Sequence, residues 1–115
     1  MSKNLFITGT GTDIGKTYVT GLILKKFQKN GQSAAYYKAA MSGNERRLDG
    51  SLIPGDALHV KTVSGISQPL QEMCPYIYET AVSPHLASKI EGNPVEMQQV
   101  LDHFDNVCSR YDYVT

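Results

Sequence analysis

Residues 6–17, FITGTGTDIGKT, constrain the fold more than any other stretch of the 115-residue chain. A continuous apolar run, Leu5, Phe6 and Ile7, enters a glycine-rich turn, and a helical pattern leaves it. Strand, glycine turn and helix in that order aim backbone N–H groups at one spot. The unpaired donors and positive dipole end of the helix N-terminus add to the pull on an anion there. The ending Gly15-Lys16-Thr17 matches the end of the phosphate-loop pattern G-x-x-x-x-G-K-[ST], whose lysine reaches the β- and γ-phosphates and whose hydroxyl ligates Mg²⁺. The register is unusual. Thr10 stands where the pattern wants its first glycine, and five residues separate Gly9 from Gly15. The longer loop predicts an extra side chain, Thr12 or Asp13, beside the phosphates. The competing reading is a tight strand-to-helix turn with a solvated lysine; the apolar strand before it and the amphipathic helix after it favour a nucleotide.

The loop opens a βαβ unit. The run at 5–7 predicts a strand buried on both faces of a parallel sheet. The next helix is expected from about Gly15 to Asn30, with Val19, Leu22, Ile23 and Phe27 on its buried face, lysines in its last turns and Gly31 as its stop. SAAYYKA at 33–39 predicts the second strand, and the polar stretch 42–55 a long functional loop. A short helix follows Pro54, PYIYE at 75–79 suggests a strand, and Ser83-Pro84 pairs an N-cap with a proline at the first helical position. Asn93-Pro94-Val95-Glu96 repeats that device as a capping box, opening a helix whose apolar face carries Met97, Val100, Leu101, Phe104, Val107, Cys108 and Tyr111. Tyr113 to Thr115 begin a further strand. Alternating β and α elements predict an α/β fold of phosphate-loop (P-loop) NTPase type, a Rossmann-like three-layer arrangement on a mostly parallel sheet. Because YDYVT stops as a strand begins, residues 1–115 are expected to be one domain and the N-terminal part of a longer fold, cut before its third core strand is complete.

Composition narrows the function. Eleven basic residues balance eleven acidic ones, so no basic excess points to nucleic acid or an anionic membrane. The N-terminus is neither a signal peptide nor a membrane span. Cys74 and Cys108 form no C-x-x-C pair, which predicts reduced thiols in a cytoplasmic protein rather than zinc or a disulfide.

Among phosphate-loop proteins, the partition ATPases carry a second lysine five positions before the Gly-Lys lysine; here that position is Gly11, which weighs against a switch or partition ATPase working through protein partners. Small-molecule kinases usually keep the four-residue spacing. GTGTDIGKT instead closely resembles the loop of the dethiobiotin synthetases. The resemblance continues through YYKAAMSG (36–43), GDA (55–57) and SPHLAS (83–88), in order and over nearly the whole chain. One departure is Ala39, where the family usually has proline.

The resemblance implies an ATP-dependent ligase of biotin biosynthesis that uses 7,8-diaminononanoate, CO₂ and ATP with Mg²⁺ and works as a homodimer, its diamine site close to the subunit interface. It places Lys38 on the catalytic lysine, with Lys16 as the second catalytic cation, and Thr12, Lys38 and Ser42 on substrate contacts. Asp13, Ile14, Gly15, Lys16, Thr17, Tyr18 and Asp56 fall on ATP contacts, and Thr17 and Asp56 on metal ligands. A further metal ligand would come from an E-G-A-G-G-like loop after Thr115. Each residue also has a plainer role: Lys38 as a solvated strand-end lysine, Asp56 as a helix cap, Ser42 as a turn serine. His85 is expected to pack or cap, His59 and His103 to lie on helix surfaces, and Arg46 and Arg47 to be solvated loop charges.

Overall fold

The computed structural model describes residues 3–7 and 13–115, apart from the side chains of Asp13 and Ile14. Its elements run β1 (Lys3–Asn4), α1 (Asp13–Lys29), β2 (Ala34–Ala35), β3 (Ala40–Met41), α2 (Gly55–Ser64), a 3₁₀ turn (Leu70–Glu72), β4 (Tyr76–Ile77), α3 (Pro84–Ile90), α4 (Met97–Arg110) and β5 (Tyr113–Val114). The main sheet has the order β1-β5-β2, parallel throughout, with Asn4 and Ala35 both in register with Val114. β3 and β4 form a second parallel pair. Consecutive parallel strands require crossovers, and helices supply them.

Alternation along the second strand sorts the core into layers. Ala34 and Tyr36 join Leu24 of α1 and Ala57 and Val60 of α2 on one face. Ala35 faces the other way, with Val107 of α4 and Val114, and Tyr37 and Phe104 pack against them. The result is the expected three-layer α/β arrangement.

Several local expectations shift. Strand pairing lies at Lys3–Asn4 and extends only to the Leu5 N–H, which donates to the Val114 carbonyl at 2.8 Å. The apolar run is not buried on both faces: Leu5 is exposed and Phe6 is 87% exposed, and β1 lies at the edge of the described sheet. On α1 the buried face is Thr17, Thr20, Gly21 and Leu24, whereas Val19 and Leu22 are exposed. The small residues win because α2 packs against them; a Cβ on Gly21 would lie 2.8 Å from Val63 Cγ1. Gly31 does end α1, at φ 77°, with the Gln32 N–H returning to the Phe27 carbonyl. The Ser83 cap of α3 is also as expected, its side chain accepting from the Leu86 N–H. α4 begins at Met97, later than the capping box implied. Tyrosine hydroxyls hold residues 93–96 open instead: Tyr78 OH donates to the Asn93 carbonyl and the Glu96 N–H donates to Tyr76 OH. Met97 and Leu101 are exposed, so the packed face of α4 is narrower than its sequence pattern.

Candidate functional site

The described edge of the site is built where β1, β5 and the end of the second strand stop together. A cavity of about 570 Å³ opens there, lined by residues that include Phe6, Lys16, Thr17, Tyr37, Lys38 and Phe104. This is the carboxyl edge of a parallel sheet, where open α/β folds bind ligands. Lys16 reaches the cavity from the first turn of α1. Thr17 beside it is buried, and Thr20 Oγ1 donates to the Lys16 carbonyl at 2.8 Å, fixing that turn.

Lys38 lies three residues past the end of β2, on the backbone that leads to β3. Its N–H donates to the Met73 carbonyl at 2.8 Å, and its Nζ donates to Asp56 Oδ2 at 2.7 Å. Asp56 sits in the first turn of α2. It does not cap that helix: Pro54 holds the N-cap position and no side chain accepts there. The two side chains are 36% and 32% exposed, and pairs so open to water contribute only about 0–1 kcal/mol. An ammonium held so weakly is available to an incoming anion, and the carboxylate to a cation.

Buried Cys74 feels the charges of both members of this pair. Burial pushes the Cys74 thiol up to about 12, against a smaller opposing effect of its hydrogen bond to the Tyr76 carbonyl. Burial likewise raises the Tyr37 phenol to about 12; its hydroxyl donates to the Val100 carbonyl at 3.0 Å and its ring lies against Phe104 and His103. His103 is therefore half-buried rather than a surface residue, and its Nδ1 has no hydrogen-bond partner among the described residues.

Other predicted site residues lie farther out. Ser42 does not line the cavity; its hydroxyl donates to the Val82 carbonyl. Tyr18 is half exposed on α1, and Gly15 has open space where a Cβ would stand. Thr12 falls outside the described residues, as do the side chains of Asp13 and Ile14. The stretch 42–55 is more ordered than a loop. An Arg46–Leu52 bridge closes it, and Arg46 is paired with Glu79 at 2.6 Å rather than simply solvated.

Two supporting residues had no sequence signal. Buried Asn44 donates to the Met41 and Tyr78 carbonyls and accepts from the Gly55 N–H at 3.0 Å, tying β3 and β4 to the start of α2. Gln68, fully buried, pairs with the backbone of Tyr36.

A family model described as an AAA domain matches residues 3–112. The chain belongs to this AAA-domain family. Its similarity to curated proteins runs from end to end. It is 49% identical over 118 residues to an ATP-dependent dethiobiotin synthetase of Clostridium novyi (strain NT), covering 99% of the chain and 48% of that relative. It is 46% identical over 115 residues to one from Clostridium botulinum (strain ATCC 19397 / Type A), covering 100% of the chain and 50% of the relative. A further relative, from Clostridium botulinum (strain Alaska E43 / Type E3), is 42% identical over the same length. The likeness first drawn from short motifs thus holds across all 115 residues. The chain spans about half the length of the curated relatives it matches.

Proposed function

We propose that this chain forms the phosphate-loop half of a dethiobiotin synthetase, which joins 7,8-diaminononanoate and CO₂ at the expense of ATP. What carries the reading is the identity with such enzymes over the whole chain, joined to a cavity at the sheet edge that Lys16, Thr17 and Lys38 all line.

In this account one amine adds to CO₂ and loses a proton, giving a carbamate. A carbamate oxygen attacks the γ-phosphorus and ADP leaves. The second amine then attacks the carbonyl carbon, closes the cyclic urea and expels phosphate. Each species near the reacting centre is anionic, so positioning and charge neutralisation carry most of the catalysis. Lys16 holds the β- and γ-phosphates. Lys38 leaves Asp56 to hold the carbamate against the γ-phosphate. Thr12 and Ser42 supply neutral hydroxyls to the diamine or carbamate, costing less desolvation than further charges. Residues 13–18 frame the nucleotide.

Thr17 and Asp56 are hard oxygen donors of the kind Mg²⁺ takes. Among the described residues no cluster of three or more His, Cys, Asp or Glu could hold a metal unaided. Within this chain Thr17 and Asp56 are the residues that would help hold the ion, which when bound would neutralise phosphate charge. Homodimerisation and a cytoplasmic location belong to the same proposal; no described helix is long and apolar enough to cross a membrane.

The test is direct. The protein carrying this sequence, at its full natural length, should convert the diamine, bicarbonate and Mg·ATP to dethiobiotin with one ADP per product. ADP release without dethiobiotin would overturn the assignment.

A further inference from the structure

Among the described residues, the run of backbone from Ala34 to Lys38 has a strand on one edge, β5. On that edge the Thr115 N–H donates to the Ala35 carbonyl at 3.0 Å and the Tyr37 N–H donates to the Thr115 carbonyl at 2.8 Å. Alternate residues turn their N–H and C=O to the opposite edge, so Tyr36 presents both groups there. What meets them is a side chain. Gln68 Oε1 accepts from the Tyr36 N–H at 2.8 Å, and Gln68 Nε2 donates to the Tyr36 carbonyl at 3.1 Å. The amide stands in for a neighbouring strand. Two residues on, the Met73 carbonyl takes over by accepting from Lys38 N–H.

Gln68 is itself anchored. Lys61 Nζ, from the last turn of α2, donates to the Gln68 carbonyl at 2.7 Å. Helix α2 therefore grips the strand end twice, at Lys38 through Asp56 and at Tyr36 through Lys61 and Gln68. A neutral primary amide suits this place because it offers a donor and an acceptor in one plane; a carboxylate only accepts and an ammonium only donates.

We propose that Gln68 is a positioning residue for Lys38: by pairing with both backbone groups of Tyr36 it fixes the strand end from which the Lys38 ammonium reaches the reacting phosphate. This rests on the role given to Lys38 above. Without the amide, two buried polar groups lose their partners, and the backbone must move to find others. Misplacement of a catalytic group by about 1 Å can cost on the order of 100-fold in rate.

The experiment compares wild type, Gln68→Met and Lys38→Ala in the full-length protein. Nucleotide sites are counted by ATP-analogue titration, and kcat is expressed per binding site so that misfolded molecules do not count. Gln68→Met should lower kcat per site roughly 10- to 100-fold while the nucleotide Kd stays within about twofold. A kcat per site within about twofold of wild type overturns the proposal, as does an equal loss of nucleotide affinity. If Gln68→Met does not fold, Gln68→Glu, which keeps the acceptor and loses the donor, decides by the same criteria. Full activity in Lys38→Ala would remove the role of Lys38 and this proposal with it, whereas a loss in Lys38→Ala beside an unchanged Gln68→Met overturns the role of Gln68 alone.

Discussion

Asp56, bonded to Lys38, and Cys74, which feels the charge of the same lysine, do unlike work. Asp56 is one-third exposed, and its bond to Lys38 adds little to folding. Asp56→Asn should change the unfolding free energy by less than about 1 kcal/mol, yet raise the Mg²⁺ needed for half-maximal product formation. A large stability loss with unchanged Mg²⁺ dependence would make Asp56 structural. Cys74 is buried, and its thiol is held neutral, from 9.0 up to about 12. Because the folded value lies above the unfolded one, the contribution of Cys74 to stability is complete below pH 9 and is lost as pH rises toward 12. In native protein at pH 8, a disulfide reagent should modify half-buried Cys108 and leave Cys74 until the chain is unfolded. Rapid native labelling of Cys74 would contradict the packing around it. Motifs singled out Lys38, Asp56 and Thr17 in the sequence, and the structure pairs Lys38 with Asp56 and puts Thr17 on the same cavity as Lys38. Asn44 and Gln68 were invisible, because their value lies in which backbone groups they meet 30 residues away, and no local pattern records that.

At the scale of elements, the contact between α1 and α2 sets where Lys16 and Asp56 stand. Gly21 is a close point of it: an added Cβ would come within 2.9 Å of both Val63 Cγ1 and Cβ. Gly21→Ala should therefore destabilise by about 1–3 kcal/mol through overpacking, outweighing the gain in helix propensity of up to about 1 kcal/mol. Val63→Ala in the same protein should recover most of that loss in a urea titration; no recovery would place the strain elsewhere. Element types were largely legible, since strand, glycine turn, helix and cap chemistry are local. Faces and starts were less so. The α1 stripe of Val19 and Leu22 was outcompeted by small residues that admit α2, and the start of α4 was set by tyrosines of β4 and the residues after it rather than by Asn93 and Pro94.

For the molecule as a whole, the parallel order β1-β5-β2 brings the ends of three distant segments to one edge and leaves a cavity between them. At that edge Lys16 and Thr17 line the same cavity as Lys38, whose ammonium is in turn bonded to Asp56. The proposed mechanism divides the labour at this edge, with Lys16 holding nucleotide and Lys38 holding the second substrate. The most direct measurement is therefore Lys38→Ala in the full-length protein, with ATP affinity and dethiobiotin formation determined side by side. The account predicts an ATP Kd within about threefold of wild type and a product rate lower by about 100-fold or more, the scale of loss for one electrostatic stabiliser. Parallel loss of both, or a product rate left intact, would contradict it.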